Sequence, residues 1–155
     1  MKIHICAIGR IKSSPEADIV NDYVDRFERI GKHIGLGPVK VIEKETKKSG
    51  ILSEGKVLLD SIPNNSIICI LDEKGADLDS VAFARKIEYW RDNLNLDLSL
   101  VIGGAGGLSK EIKNKADHSI SFGKMVWPHR LIRVMIAEQL YRAASIISGS
   151  PYHKA

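Results

Sequence analysis

The side chains with chemical potential in this chain gather in two places. The first is Gly103-Gly104-Ala105-Gly106-Gly107, followed by Leu108 and Ser109. Four glycines in five residues let a backbone make a sharp turn or come close to a ligand, and composition alone leaves those two uses evenly balanced. The second lies near the carboxyl end, where Pro128-His129, Arg133, Glu138 and Arg142 interrupt an apolar stretch and Pro151-Tyr152-His153 follows it. Glu138 and Arg142 are four residues apart, so they meet on one helical face as a modest ion pair. Polar groups on a helix covered from two sides point at a cleft or a partner, because burial without a partner is costly. The bland reading of Pro151 to His153 is a frayed tail.

Several familiar chemistries are excluded by spacing. The glycine run has no GxGxxG fingerprint with a placed acid, and no GxxxxGK, since its first lysine is Lys110 after Ser109. No GxSxG elbow is present, which removes a serine hydrolase of that type. His4, His33, His118, His129 and His153 show no HExxH or other ligand spacing, and Cys6 and Cys69 stand alone in apolar runs. The expectation is no metal and two buried free thiols. A second anion-binding candidate is Gly9-Arg10 to Ser13-Ser14, where positive charge precedes a helix start; a loop with an N-cap is the more ordinary reading.

These residues must be held by elements legible in the pattern. Ile3, Ile5 and Ala7 alternate with Lys2, His4 and Cys6 as a first strand. Ser14-Pro15-Glu16 then caps a helix carrying Ile19, Val20, Tyr23, Val24, Phe27 and Ile30. A short strand at 39–42 and a weaker helix at 51–62 follow. Ile67 to Leu71 is the unbroken apolar run of a strand covered on both faces. Residues 72–79 read as a polar loop, and Phe83, Ile87, Trp90 and Leu94 form one face of a helix. Leu98 to Ile102 make the strand before the glycine run. Ser109 caps a short helix, Ile120 and Phe122 mark a brief strand, and a last helix spans roughly 130–147 within the usual boundary error. Alternation of strands and helices predicts a mainly parallel α/β sheet of five or six strands in one domain, 1–155.

The last helix is apolar nearly all round, from Leu131 to Ile147, and so must be covered on more than one side. Its own sheet covers one side; the expectation is that a second copy covers the other, making a homodimer through this helix. The chain of 155 residues carries a formal charge of +4, distributed as +3 over 1–48, −3 over 49–123 and +4 over 124–155. A final segment with Glu138 as its single acid is a candidate surface for a polyanion. With no long apolar run and no signal-like amino terminus, a soluble cytoplasmic protein is expected, with no membrane partner.

Taken together, Ile102 to Leu108, Pro128-His129-Arg130-Leu131-Ile132-Arg133-Val134, Ala137 to Ala143 and Pro151-Tyr152-His153 resemble the ribosomal RNA large subunit methyltransferase H family of the SPOUT superfamily, over the whole chain. The resemblance implies a carboxyl-terminal trefoil knot, which ordinary threading rules disfavour, and a homodimer. It implies methylation of N3 of a pseudouridine in 23S rRNA, with S-adenosyl-L-methionine as donor; the small surface of a protomer favours the ribosome as substrate, with free rRNA and the subunit left open. It implies a donor pocket of Leu71, Gly103, Gly104 and the segment Phe122, Gly123, Lys124, Met125, Val126 and Trp127. The chemistry would fall to His153 as base, Arg142 or Arg133 as anion stabiliser, Tyr152 against the target base, and Glu138 as the group that orients Arg142. His129, at a helix start that lowers an imidazole pKa, is expected to stay neutral and orient structure or substrate. Many relatives carry Pro-Glu where this chain has Ala105-Gly106, and Trp127 and Arg130 also depart from the common pattern. Two other readings remain: a SPOUT enzyme with a different RNA target, and a non-catalytic flavodoxin-like nucleotide- or RNA-binding module using Gly9 to Ser14.

Overall fold

The computed structural model describes residues 1–48 and 50–153. Five parallel strands form a single sheet in the order β2-β1-β4-β3-β5, with β1 at Ile3–Ile8, β2 at Val39–Lys44, β3 at Ser66–Asp77, β4 at Asp97–Ile102 and β5 at His118–Ser121. The helices are α1 (Pro15–Gly31), α2 (Ile51–Leu59), α3 (Ser80–Asn93), α4 (Lys110–Lys115) and α5 (His129–Ile147). An all-parallel sheet needs cover on both faces. Ile3, Ile5 and Ala7 of β1 join Phe27 of α1, Ile87 and Trp90 of α3 and Ile136 and Leu140 of α5 in the larger core. Cys6 and Ile8 of the same strand face Leu58 of α2 and Ile112 of α4 in the smaller one.

Local signals set the helix starts. Ser14 accepts a hydrogen bond from the Ala17 amide with Pro15 in the first turn, and Asp79 and Ser109 cap α3 and α4 in the same way. Cys6 and Cys69 are buried free thiols, as expected, and burial pushes both pKa values up to about 12.

Two elements differ from the sequence reading. The loop expected at 72–79 is largely strand: β3 runs on to Asp77, broken by a bulge between Leu71 and Ala76, and its second half pairs with β5 through Ala76 and Asp77. Polar residues hid it because this half is not covered like Ile67 to Leu71. Gly75 permits the close approach, since a Cβ there would lie 2.5 Å from the Ile120 carbonyl carbon. The second difference is the cover of α5. Its apolar circumference is packed along α1 and α3 as well as against the sheet, and Arg133, Ile136, Ala137, Leu140, Ala143, Ala144 and Ser145 are buried within one protomer. Burying Ile136 and Leu140 contributes roughly 1.5–3 kcal/mol each. Flanking helices thus supply much of the cover, while Leu131 stays 40% exposed and Ile132, Val134, Met135, Ile146 and Ile147 are half-buried.

Candidate active site

A cleft of about 450 Å³ opens at the carboxyl ends of β3, β4 and β5. Its walls are the glycine turn, the chain from Phe122 to Trp127 and the start of α5. Of the predicted donor-site residues, Leu71, Gly103, Gly104, Phe122, Gly123, Met125, Val126 and Trp127 line it; Lys124 does not, and is exposed beside it. Residues 71 and 103 are thus brought together with 122–127 because β3 lies between β4 and β5. The Trp127 indole N–H donates to the Phe122 carbonyl at 3.2 Å, closing that loop on itself. Ser121 braces its beginning, its hydroxyl donating to the Gly123 carbonyl at 2.9 Å.

The glycine turn shows why its residue type is needed. A Cβ on Gly103 would stand 2.5 Å from the Gly107 carbonyl oxygen, and one on Gly104 would stand 2.6 Å from the Glu54 carboxylate. Gly107 donates its amide to the Gly104 carbonyl at 2.9 Å and has φ +82°. The glycines are required first by the turn's own closure, and the turn then presents backbone rather than side chains to the cleft. Sequence reasoning missed Asp72 and Lys113, which face each other in the cleft as an ion pair at 2.5 Å. Nothing in their spacing, 41 positions, joins them until β3 and α4 pack together. The Asp72 carboxyl is held below its ordinary range by the Lys113 ammonium and the Lys74 amide, against the opposing effect of burial.

His129, the first residue of α5, also lines the cleft. Its pKa is lowered by burial first and then by the guanidinium of Arg133, so the ring is neutral near pH 7. Arg133 itself lies elsewhere. It is fully buried beneath the loop after β1, donating to Glu43 Oε1 at 2.7 Å and to the Ile8 carbonyl. It is not brought beside Arg142, and within the protomer it has no open face. Gly9 to Ile11 rest on it: a Cβ on Gly9 would lie 3.7 Å from an Arg133 nitrogen, and Glu43 also accepts the Ile11 amide at 3.1 Å. The loop from Gly9 to Ser14, a candidate phosphate cradle by sequence, has the inner side of its first residues filled by this pair.

Glu138, Arg142, Tyr152 and His153 do come together, at the far part of α5. Arg142 Nε donates to Glu138 Oε1 at 2.9 Å, and Tyr152 donates its hydroxyl to the same oxygen at 3.0 Å. Arg142 lies over the Tyr152 ring, 4.9 Å from its centroid, and its Nη1 is 3.4 Å from His153 Nδ1. A guanidinium only donates, so in this arrangement Nδ1 accepts and Nε2 carries the ring proton. Tyr141 packs on Tyr152 with centroids 4.4 Å apart, and Tyr23 of α1 stands behind Tyr141 at 6.2 Å. Burial, with hydrogen bonds to Tyr23 and Glu138, pushes the Tyr152 pKa up, keeping the phenol neutral. This tail is an anchored structure rather than a frayed end.

Glu138 and Arg142 lie six and ten residues beyond Ile132, the last residue of α5 that lines the cleft, about 9 and 15 Å along the axis at 1.5 Å per residue. One protomer therefore holds its cleft and its ionic cluster apart. Among the described residues no group of three or more His, Cys, Asp or Glu side chains could hold a metal ion, and no helix is long and apolar enough to cross a membrane.

Residues 1–153 match the family described as "Predicted SPOUT methyltransferase". The chain belongs to the SPOUT methyltransferase family. Proteins named ribosomal RNA large subunit methyltransferase H from Ruegeria sp. (strain TM1040) and from Ruegeria pomeroyi are each 50% identical to it over 155 residues, 99% of either chain. The structure of a probable methylase family protein from Haemophilus influenzae Rd KW20 is similar in fold, with a TM-score of 0.52 over 99% of this chain and 70% of that one at 14% identity. A SPOUT methyltransferase needs a methyl donor, and the cleft suits S-adenosylmethionine in size, at a volume within the roughly 300–1,000 Å³ of small-molecule sites. Leu71, Ile120, Phe122 and Trp127 give the cleft an apolar wall, while the glycine turn and the Asp72–Lys113 pair give it polar groups.

Proposed function

We propose that this SPOUT protein is a homodimeric, S-adenosylmethionine-dependent methyltransferase acting on N3 of a pseudouridine in 23S rRNA, in the cytoplasm, with the knotted carboxyl-terminal path that its family resemblance implies and a single domain. The observation that carries the reading is one cleft built jointly by the glycine turn and residues 122–127, in a chain half identical to large-subunit rRNA methyltransferases. The bound donor would supply a methyl group already activated on a sulfonium.

The protein's own contribution is position and charge. The apolar walls and backbone of the cleft fix the donor's orientation, which is catalysis mainly through alignment. The N3 proton of a pseudouridine lies between two carbonyls, so transfer needs its removal and stabilisation of the anion left behind. Arg142 is assigned to that anion, with Glu138 orienting its guanidinium and Tyr152 meeting the base. When Arg142 turns to the imide oxygen, His153 Nδ1 is released from its only donor in this cluster and becomes free to accept the proton. Arg133, buried on Glu43, is assigned a positioning role under the loop after β1, and His129 a neutral one at the cleft wall.

The separation of about 9–15 Å along α5 between cleft and cluster supports dimer action: the cluster of one copy serves the cleft of the other. Exposed Met125, Val126 and Leu131 at the cleft mouth offer apolar surface for that contact. Mixing tests it. A Gly103→Ala protein, damaged in the cleft, and an Arg142→Ala protein, damaged in the cluster, should each be inactive on large ribosomal subunits and should recover activity when co-refolded. Recovery fails if both sets act within one chain.

A further inference from the structure

The loops that follow β1 and β2 stand side by side at the same carboxyl edge of the sheet as the cleft, because β1 and β2 pair in parallel from Ile3–Val39 to Ile8–Lys44 and Gly9 continues by donating to the Lys44 carbonyl. Arg10 and Lys12 project from the first loop and Lys47 and Lys48 from the second, all exposed. Arg130, also exposed, belongs to the first turn of α5 beside His129 at the cleft wall.

The first loop is held rigidly. Ile11 is buried, its amide bound to Glu43 Oε1, and the Arg133 guanidinium bonds the Ile8 carbonyl from below. Lys12 sits at φ +28°, a left-handed conformation that side-chain-bearing residues rarely adopt and that persists only when its surroundings impose it. The second loop is tied by the Thr46 hydroxyl, which both donates to the Lys48 carbonyl and accepts the Lys48 amide, and by Ser53, which donates to the Lys48 carbonyl at 2.7 Å. Four acidic groups lie on this edge: Glu43 is taken up by Arg133, Glu54 stands between Gly9 and Lys47 beside the glycine turn, Glu16 lies near Arg130, and Glu45 faces Arg10 at 3.6 Å with both side chains half exposed. An exposed pair of that kind contributes little, and a phosphate can displace it.

We infer that Arg10, Lys12, Lys47, Lys48 and Arg130 form a preset edge that receives the phosphate backbone of the substrate RNA as it enters the cleft. This rests on the proposed function and moves the main RNA contact from the carboxyl-terminal segment to the loops after β1 and β2. The buried Arg133–Glu43 pair then has a reason: it fixes the loop on which Arg10 and Lys12 are displayed. Phosphate contacts set orientation and carry no sequence information, so the edge governs affinity and register while the cleft reads the base.

The test uses full-length protein and a 23S rRNA transcript, measuring affinity against KCl. Arg10→Ala/Lys12→Ala and Lys47→Ala/Lys48→Ala are compared with Lys32→Ala/Lys40→Ala, whose lysines are exposed near the opposite, amino-terminal end of the strands. Each edge pair should bind at least tenfold more weakly at 0.1 M KCl, and the slope of log K on log salt should fall by about 1.4–1.8, two contacts at roughly 0.7–0.9 each. S-adenosylmethionine affinity, by calorimetry, should match wild type. The inference is overturned if the edge pairs bind rRNA like the control pair, or if an acidic protein binds the edge and rRNA does not. Methyl transfer by wild type to large subunits reports separately on the function itself.

Discussion

Removing the charge of Glu43 gives the sharpest test of how the buried arginine is used. Glu43→Gln keeps the volume and one acceptor oxygen but takes away the carboxylate facing Arg133 at 2.7 Å. Arg133 has no exposed side-chain surface, so bulk water does not reach its guanidinium to replace the lost charge. Stranding a buried cation costs roughly 3–5 kcal/mol. The Glu43 side chain keeps 22% of its surface, which screens the pair, so the lower end is expected, about 3 kcal/mol. For a chain of this size that is a fall in Tm of roughly 6–12 °C at ~2–4 °C per kcal/mol. Adding Arg133→Met removes the stranded charge and leaves chiefly the Ile8 carbonyl without its donor, at about 1–3 kcal/mol. The double variant should therefore be more stable than Glu43→Gln alone. Urea unfolding of wild type, Glu43→Gln and the double variant measures both quantities. A loss below 1 kcal/mol for Glu43→Gln, or a double variant less stable than the single, refutes the buried-pair account.

Three further outcomes follow from the geometry. Gly103→Ala places a Cβ 2.5 Å from the Gly107 carbonyl and must open the turn, so calorimetry should show S-adenosylmethionine affinity reduced at least tenfold in a protein that still unfolds cooperatively. Cys6 and Cys69, with pKa values pushed up to about 12, should stay unreactive toward a thiol reagent at pH 8 and react only in denaturant; fast labelling of the native protein contradicts their burial. His118 and His129 both titrate below their ordinary value, chiefly through burial. The unfolded chain thus binds protons that the folded one refuses, and stability should fall as pH drops below about 6.5. Unfolding free energies at pH 7.5 and 5.5 check the sign, although carboxylates add to the slope, so His129→Asn is the comparison that isolates one ring.

Much of the architecture was legible because single elements carry strong local signals. The alternation in Ile3 to Ala7, the Ser14-Pro15 cap and the apolar run at Ile67 to Leu71 each specify their element without help from elsewhere. The second half of β3 was not legible, since its polar residues pair with β5 through backbone groups that leave no side-chain pattern. The apolar circumference of α5 pointed correctly to cover on several sides, but pattern cannot name the cover, and here α1 and α3 provide much of it. At the site, the family resemblance named the segment from Phe122 to Trp127, which lines the cleft at every position but Lys124, and it named no role for Asp72 and Lys113, whose contact is made only by packing. Arg133 shows the opposite case. The family resemblance offered it as an anion stabiliser, and in the fold an arginine on the inward face of a helix pairs with the acid the sheet presents, which is Glu43 of β2.

The central claim is methyl transfer from S-adenosylmethionine to one pseudouridine of the large-subunit RNA. It is tested most directly by incubating the purified protein with donor and with large ribosomal subunits that lack the modification, then digesting the rRNA and identifying its nucleosides by mass spectrometry. The account predicts a single new product, N3-methylpseudouridine, formed by wild type and lost in Arg142→Ala. A methyl group on any other nucleoside, or no product from a protein that binds the donor and the subunits, would contradict it.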